Sequence, residues 1–251
     1  MNRFTRAIAD GLTLCCLLSA GAAYAQVPDK FTNLKHFPKD ISKDELMTQM
    51  RGFALGLGVR CGHCHAGPPN AQLADMDFAS DEKQAKKTAR IMLKMMDHIN
   101  GKYLSRLGKK KEDLVTVKCV SCHHAQSRPL LLQEVLAMSL AEEGIEGMLA
   151  HYQELRNDYY GGFTYDFGER VLLEFGSGIA EEGKLDAALA VLELNAQWYP
   201  ESFSNEYGIG EVQELRGEKN EALAHYRKAL ELGQGRQKSF AQKMIDELSG
   251  E

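Results

Sequence analysis

Apolar residues along this chain recur at helical spacing rather than in the strict alternation of strands. Met47, Met50, Phe53, Ala54 and Leu57 fall on one helical face. They follow Ser42-Lys43-Asp44-Glu45, an S-x-x-E capping box that marks a helix start. Gly56 and Gly58 loosen the end of this helix just before Cys61. Residues 66–79, with Pro68, Pro69 and Asn70, read as loop. Ser80 is placed to cap a second helix, with Asp81 and Glu82 in its first turn. Ala85, Ala89, Met92, Met96, Ile99 and Tyr103 stripe one side of that helix, which should run to about Leu107. A basic loop, Gly108 to Glu112, follows.

Beyond Pro129 the pattern repeats. Gly176 and Gly210 are 34 residues apart, as are Gly183 and Gly217, Ala188 and Ala222, and Leu189 and Leu223. A helix–turn–helix period of that length is the tetratricopeptide signature. Small Gly176 and Ala188 let paired helices approach, Leu192 and Tyr226 are matching bulky positions, and Pro200 closes the first unit. Residues 144–152 read as half of an earlier, degenerate unit, and residues 236–249 as an amphipathic cap. Between them lies an aromatic stretch with Tyr159, Tyr160, Phe163 and Tyr165, which serves either as a contact patch or as packing against a neighbouring helix. The expected fold is all-α, in three parts: residues 1–25 as a signal peptide, 26–130 as a first helical domain, and 131–251 as a repeat array.

The leader is read from Arg3 and Arg6, an apolar run from Leu12 to Ala23, and the A-x-A site Ala23-Tyr24-Ala25. The run is too short to span a bilayer comfortably, so a soluble, periplasmic product without a transmembrane segment is expected. Removing the leader deletes two Arg and one Asp, which takes the formal charge from −5 to −6. That balance argues against a nucleic-acid partner.

The chemistry lies in two strings, Cys61-Gly62-His63-Cys64-His65 and Cys119-Val120-Ser121-Cys122-His123. Each is a C-x-x-C-H, the attachment sequence of a c-type haem. Both thiols add across the haem vinyl groups, and the adjacent His65 or His123 becomes the proximal iron ligand. Cys15 and Cys16 fall in the leader, so no cysteine remains for a structural disulfide. The chemical rivals are a zinc site pooling both cysteine pairs and a thioredoxin-like dithiol, the latter requiring a strand–helix setting absent from the pattern. Two covalently attached haem c groups are therefore expected, one per string.

Each string is preceded by a methionine-bearing helix. Met50 and Met47 are candidate distal ligands for the first haem, and Met92, Met95 and Met96 for the second, with His98 as a rival. Methionine on an apolar helix face otherwise fills a core. His63 and His124 should face solvent or a propionate, while His36, His151 and His225 have no partner visible in the sequence.

The run Leu34 to Ile41, then Asp44-Glu45-Leu46, Met50-Arg51-Gly52-Phe53 and Leu57-Gly58-Val59-Arg60-Cys61, resembles the photosynthetic reaction-centre cytochrome c subunit family. So do Asp77 to Lys83 and the helix carrying Met92, Met95, Ile99 and Asn100. The resemblance covers about residues 31–129. It implies ligation by His65 and His123, with distal methionines from the preceding helices: Met50 for the first haem, and Met92, with Met95 close behind, for the second. The phototrophic subunit carries four C-x-x-C-H units. This chain carries two and looks like the short two-haem branch, which also occurs in bacteria without a reaction centre.

These features lead to an exported dihaem electron carrier, not an enzyme, with a redox partner and a protein or peptide docked on the repeats. Lys109, Lys110, Lys111 and Lys118 are placed to steer an acidic partner. The alternatives are a dihaem enzyme such as a peroxidase with one open haem site, and a haem-anchored scaffold.

Overall fold

Residues 27–108 and 110–250 are described in the computed structural model of the chain. The predicted leader with its cleavage site, Cys15 and Cys16, and also Lys109, lie outside them. The described residues form α1 (Lys43–Leu57), α2 (Gln84–His98), α3 (Val120–His123), α4 (Leu132–Tyr159), α5 (Glu169–Glu181), α6 (Leu185–Trp198), α7 (Phe203–Leu215), α8 (Lys219–Leu232) and α9 (Arg236–Ser249). Among them there is no strand, only an isolated bridge between Ala66 and Asp77, so the class is all-α. No helix among the described residues is long and apolar enough to cross a membrane.

The chain divides into two compact units. One combines the described part of Met1–Lys43 with Cys61–Leu93, and the other combines Asp44–Arg60 with Lys94–Glu251. This division differs from the boundary expected near residue 130. The physical reason lies in two long-range ties inside the larger unit. The Ala125 N–H donates to the Gly56 carbonyl at 3.1 Å, which ties α1 to the second string. The Tyr165 hydroxyl donates to Gln126 Oε1 at 2.9 Å, which ties that string to the repeats.

In the smaller unit the loop after the first string is held by side chains rather than by regular structure. Asp77 Oδ1 accepts the N–H groups of Ala79 and Ser80, both at 2.9 Å. Ser80 does not cap α2 as expected. Its hydroxyl accepts the Glu82 N–H at 3.1 Å in a local turn, and the helix starts later, at Gln84. The cause is Lys86, which is buried and donates to the carbonyls of Phe78 at 2.8 Å and Ser80 at 2.6 Å. Those carbonyls face a side chain and cannot begin the helical ladder. Asp81 gathers Lys35 at 2.8 Å and Arg90 at 2.7 Å, and these charge-assisted bonds hold its carboxyl well below the usual range.

In the larger unit the helical path beyond α2 continues through a π-helical turn, Ile99–Tyr103, and a 3-10 turn, Leu104–Arg106. The expected end near Leu107 is thus met with a changed hydrogen-bond pattern after His98. Helix α4 begins where Glu134 Oε2 accepts the Leu131 N–H at 2.7 Å, and it kinks at Gly144, whose φ is 74°. That kink opens the segment read as a degenerate half-unit.

Helices α5 and α7 start 34 residues apart, as do α6 and α8. In the first pair a Cβ on Gly176 would lie 2.9 Å from Leu192, and in the second a Cβ on Gly210 would lie 2.8 Å from the Tyr226 ring. Small-against-bulky packing is therefore repeated with the period, and both Leu192 and Tyr226 are fully buried. Gly183 and Gly217, each at φ 79°, end α5 and α7. The left-handed conformation there favours glycine. Helix α9 covers the last pair, with Ala241 and Ile245 buried.

Several polar groups inside the array are paired, while Asn195 Oδ1 and Gln213 Oε1 are buried without a hydrogen bond. Asn195 Nδ2 donates to the Glu169 carbonyl and to Asn205 Oδ1, each at 3.0 Å. Buried Glu206 meets His225 at 2.7 Å and Lys228 at 2.6 Å, while His151 Nδ1 meets Ser139 Oγ at 2.5 Å. His151 and His225 thus have partners that no local pattern announced.

Candidate haem-binding sites

The first string is a tight helical turn. The N–H groups of Cys64 and His65 both donate to the Cys61 carbonyl, at 3.2 and 3.0 Å. The turn is closed by the bridge in which Asp77 N–H reaches the Ala66 carbonyl at 2.8 Å. His65 lies edge-on to Phe78, with ring centroids 4.9 Å apart, and its Nδ1 is buried without a hydrogen bond. Burial, reinforced by the Lys86 charge, pushes the His65 pKa down and keeps the imidazole neutral. Burial and the neighbouring Cys61 push the Cys64 thiol up.

The second string repeats the turn with more support. Cys122 and His123 N–H groups donate to the Cys119 carbonyl at 3.2 and 2.9 Å. Ser121 Oγ accepts the Lys118 N–H at 3.0 Å. Asn100, in the π-turn, clamps Val117 in both directions, donating to its carbonyl at 2.9 Å and accepting its N–H at 2.8 Å. After the string the chain reverses through two left-handed residues, His124 at φ 48° and Ala125 at φ 62°. That reversal delivers the Gln126 carbonyl to His123 Nδ1 at 2.8 Å. A carbonyl only accepts, so Nδ1 carries the hydrogen, and Nε2 is the ring nitrogen not engaged in this bond.

Four cysteines, Cys61, Cys64, Cys119 and Cys122, are free thiols. Burial raises the Cys119 thiol as it does Cys64, the opposite of the lowered pKa of a redox dithiol. Among the described residues no group of three or more His, Cys, Asp or Glu side chains is gathered as a metal cage. The donor set therefore presents two separate Cys–Cys–His groups, each on one helical turn.

The surroundings fit a large apolar group. Among the described residues between 27 and 130 the buried apolar side chains are Leu46, Ala66 and Leu93, whereas Leu55, Ile91, Met92, Met95 and Val120 are exposed. A soluble protein rarely shows so many large apolar side chains beside so little core. A macrocycle bonded at each string would cover such surface.

The candidate distal ligands divide between the units. Met92 belongs to the unit of the first string, and Met47, Met50, Met95, Met96 and His98 to the unit of the second. Sequence order instead pairs Met50 with the first string and Met92 with the second. The end of α1 contacts the second string directly, since a Cβ on Gly56 would lie 3.0 Å from both Cys119 Cβ and Val120 N. Met50 is half-buried, while Met92 and Met95 are 37% and 45% exposed. His63 and His124 are exposed, the latter edge-on to Phe163 at 6.4 Å. Lys110 and Lys118 are also exposed.

Gln126 and Lys86 carry no signal in the sequence pattern, and the contacts that Asn100, Phe78 and Tyr165 make around the strings are not visible there either. Each acts through a contact distant in sequence or through its backbone carbonyl, which no residue type advertises. Beside the second string a cavity of about 650 Å³ is lined by His124, Leu131, Tyr160, Phe163 and Tyr199, among others. No protein-family model, no curated protein and no solved structure matches this chain.

Proposed function

We propose that this protein is an exported two-haem c-type cytochrome that carries single electrons and docks to its partner through tetratricopeptide-like helix pairs. The observation that carries the reading is His123: its Nδ1 is spent on the Gln126 carbonyl at 2.8 Å, which leaves Nε2 as the ring nitrogen free to ligate, beside two free thiols on one helical turn. Metal-ligating histidines are typically oriented in this way by a second hydrogen bond.

Cys61 and Cys64 would hold one haem and Cys119 and Cys122 the other, with His65 and His123 as proximal ligands. Met50, Met92 and Met95 are the proposed distal donors. Bound there, the haems would supply reversible one-electron Fe(III)/Fe(II) chemistry. The residues themselves fix orientation. The Cys119 carbonyl and the Asn100 clamp set the turn, and Phe78 walls the His65 ring from water. Burial and Lys86 hold His65 unprotonated, so its ring nitrogen remains a donor to metal. The scarcity of buried apolar side chains in residues 27–130, with Leu55, Ile91, Met92, Met95 and Val120 exposed, supports a large bound group. The paired helices at a 34-residue period support the docking role, since such arrays generally bind protein or peptide. Exposed Lys110 and Lys118 would favour an acidic partner. Lineage with the two-haem branch of the reaction-centre cytochrome family rests on the resemblance in residues 31–129.

The test is expression with a cytochrome c maturation system. Two haems should survive denaturation and acid–acetone extraction, and Cys119→Ala/Cys122→Ala should leave one. Oxidised protein should show the weak red charge-transfer band of methionine-ligated ferric haem. High-spin features at one site would favour peroxidase-like chemistry, while high-spin spectra at both sites, or a chain that takes up no covalent haem, overturn the reading.

A further inference from the structure

The Tyr165 hydroxyl donates to Gln126 Oε1 at 2.9 Å, and the Gln126 carbonyl accepts from His123 Nδ1 at 2.8 Å. Tyr165 is 42 positions beyond His123, in the loop that leads into the helix pairs. We infer that Tyr165 is a positioning residue for the second haem, acting through Gln126 on the proximal His123 so that the repeat part of the chain sets that haem's reduction potential. The inference rests on the haem-binding reading above.

The loop behind Tyr165 is built to hold it. Its ring packs edge-on against Tyr159 at 5.4 Å and Phe167 at 6.2 Å. The Tyr199 hydroxyl donates to the Phe167 carbonyl at 2.7 Å, and Asp166 Oδ1 accepts the Gly168 N–H at the same distance. Buried Arg156 lies 4.2 Å from the Tyr160 ring centre and 3.8 Å from that of Trp198. Burial raises the Tyr165 pKa, so the phenol remains a donor at neutral pH. Gln126 is therefore gripped from the repeat side, while the two residues before it occupy left-handed conformations that position its carbonyl. A proton shared with a well-placed acceptor makes imidazole a stronger donor to metal and favours the oxidised iron. Hydrogen bonding around the axial ligand is a recognised means of tuning potential. The first string lacks this relay: His65 Nδ1 has no hydrogen bond, and the ring's hydrogen bond is to the Phe78 backbone.

The experiment is spectroelectrochemical titration of the full-length two-haem protein and of Tyr165→Phe, Gln126→Ala and the double variant. Phenylalanine keeps the ring contacts and removes only the donor. One of the two potentials should rise, by a three- to tenfold change in the oxidation equilibrium, or about 30–60 mV for one electron. The other should stay in place. Gln126→Ala should shift the same potential, and the double variant should shift it no further than the larger single effect. Tyr159→Phe, which keeps the edge-on contact, should shift neither. A two-haem protein whose potentials are unmoved by Tyr165→Phe, or move equally, overturns the relay and leaves haem binding standing. Additive shifts also overturn it. A chain without haem overturns both readings together.

Discussion

Alanine at position 58 should disable the joint between α1 and the second string. Gly58 sits at φ 64°, and a Cβ built on it would lie 1.9 Å from the Ala125 carbonyl oxygen and 2.7 Å from its carbon. Two costs combine. A left-handed conformation costs an L-residue about 1–2 kcal/mol. Forcing apart packed backbone adds about 1–3 kcal/mol, by analogy with overpacking in a core. The neighbour cannot yield cheaply, because Ala125 lies between His123 and Gln126 and its own N–H is bonded to Gly56. The sum is about 2–5 kcal/mol, or a fall in melting temperature of about 4–20 °C for a chain of this size. Gly183→Ala is the matched control: φ is 79°, and nothing lies within 4 Å of its Cβ position. It should cost the strain alone, about 1–2 kcal/mol. Thermal melts by circular dichroism read both, and haem content reads the consequence at the second string. Equal melting temperatures for the two variants would refute the steric reasoning, because only the clash distinguishes them.

Arg156→Ala should destabilise the protein by about 2–4 kcal/mol, since a desolvated cation over aromatic rings is worth about 2 kcal/mol or more and its bond to Tyr152 at 3.1 Å is lost as well. Arg156→Lys should recover little of this in urea melts, because an ammonium lacks the planar face that stacks on Trp198. Gly178→Ala should stabilise the protein by about 0.5–1 kcal/mol through helix propensity, its Cβ site being open, and so raise the urea midpoint. Gly210→Ala should lower that midpoint, because the Tyr226 ring lies 2.8 Å away and is fully buried. The Asp81 pKa is depressed on folding, so its contribution is present above the unfolded carboxylate value and is lost as pH falls through that value towards the lower folded one. Melting temperature should therefore drop on acidification more in the native protein than in Asp81→Asn, and parallel pH profiles would contradict the assignment.

Local spacing carried much of this structure. Helix α1 begins directly after Ser42, and the period read from paired glycines is the offset between α5 and α7 and between α6 and α8. The two Cys–Cys–His groups were legible for the same reason: each is a contiguous string, and a contiguous string folds as one turn. Helical faces, caps and covalent motifs depend on residues three or four apart, so a linear reading captures them.

What only the tertiary structure decided is how those parts are supported. Ser80 is an acceptable cap by type, yet Lys86 takes its carbonyl, and burial of a lysine is not written in its neighbours. The partners of His151 and His225 come from other turns and other helices. Gly56 meets Ala125 across a long stretch of chain, and Tyr165 meets Gln126 across the boundary expected near residue 130. Tyr165 itself read as one member of an aromatic cluster. Its distinction arises where the chain returns to the string that carries His123. Residue type and order mark which groups are candidates to bind haem, whereas the long-range hydrogen bonds that orient those groups exist only once distant segments are packed together.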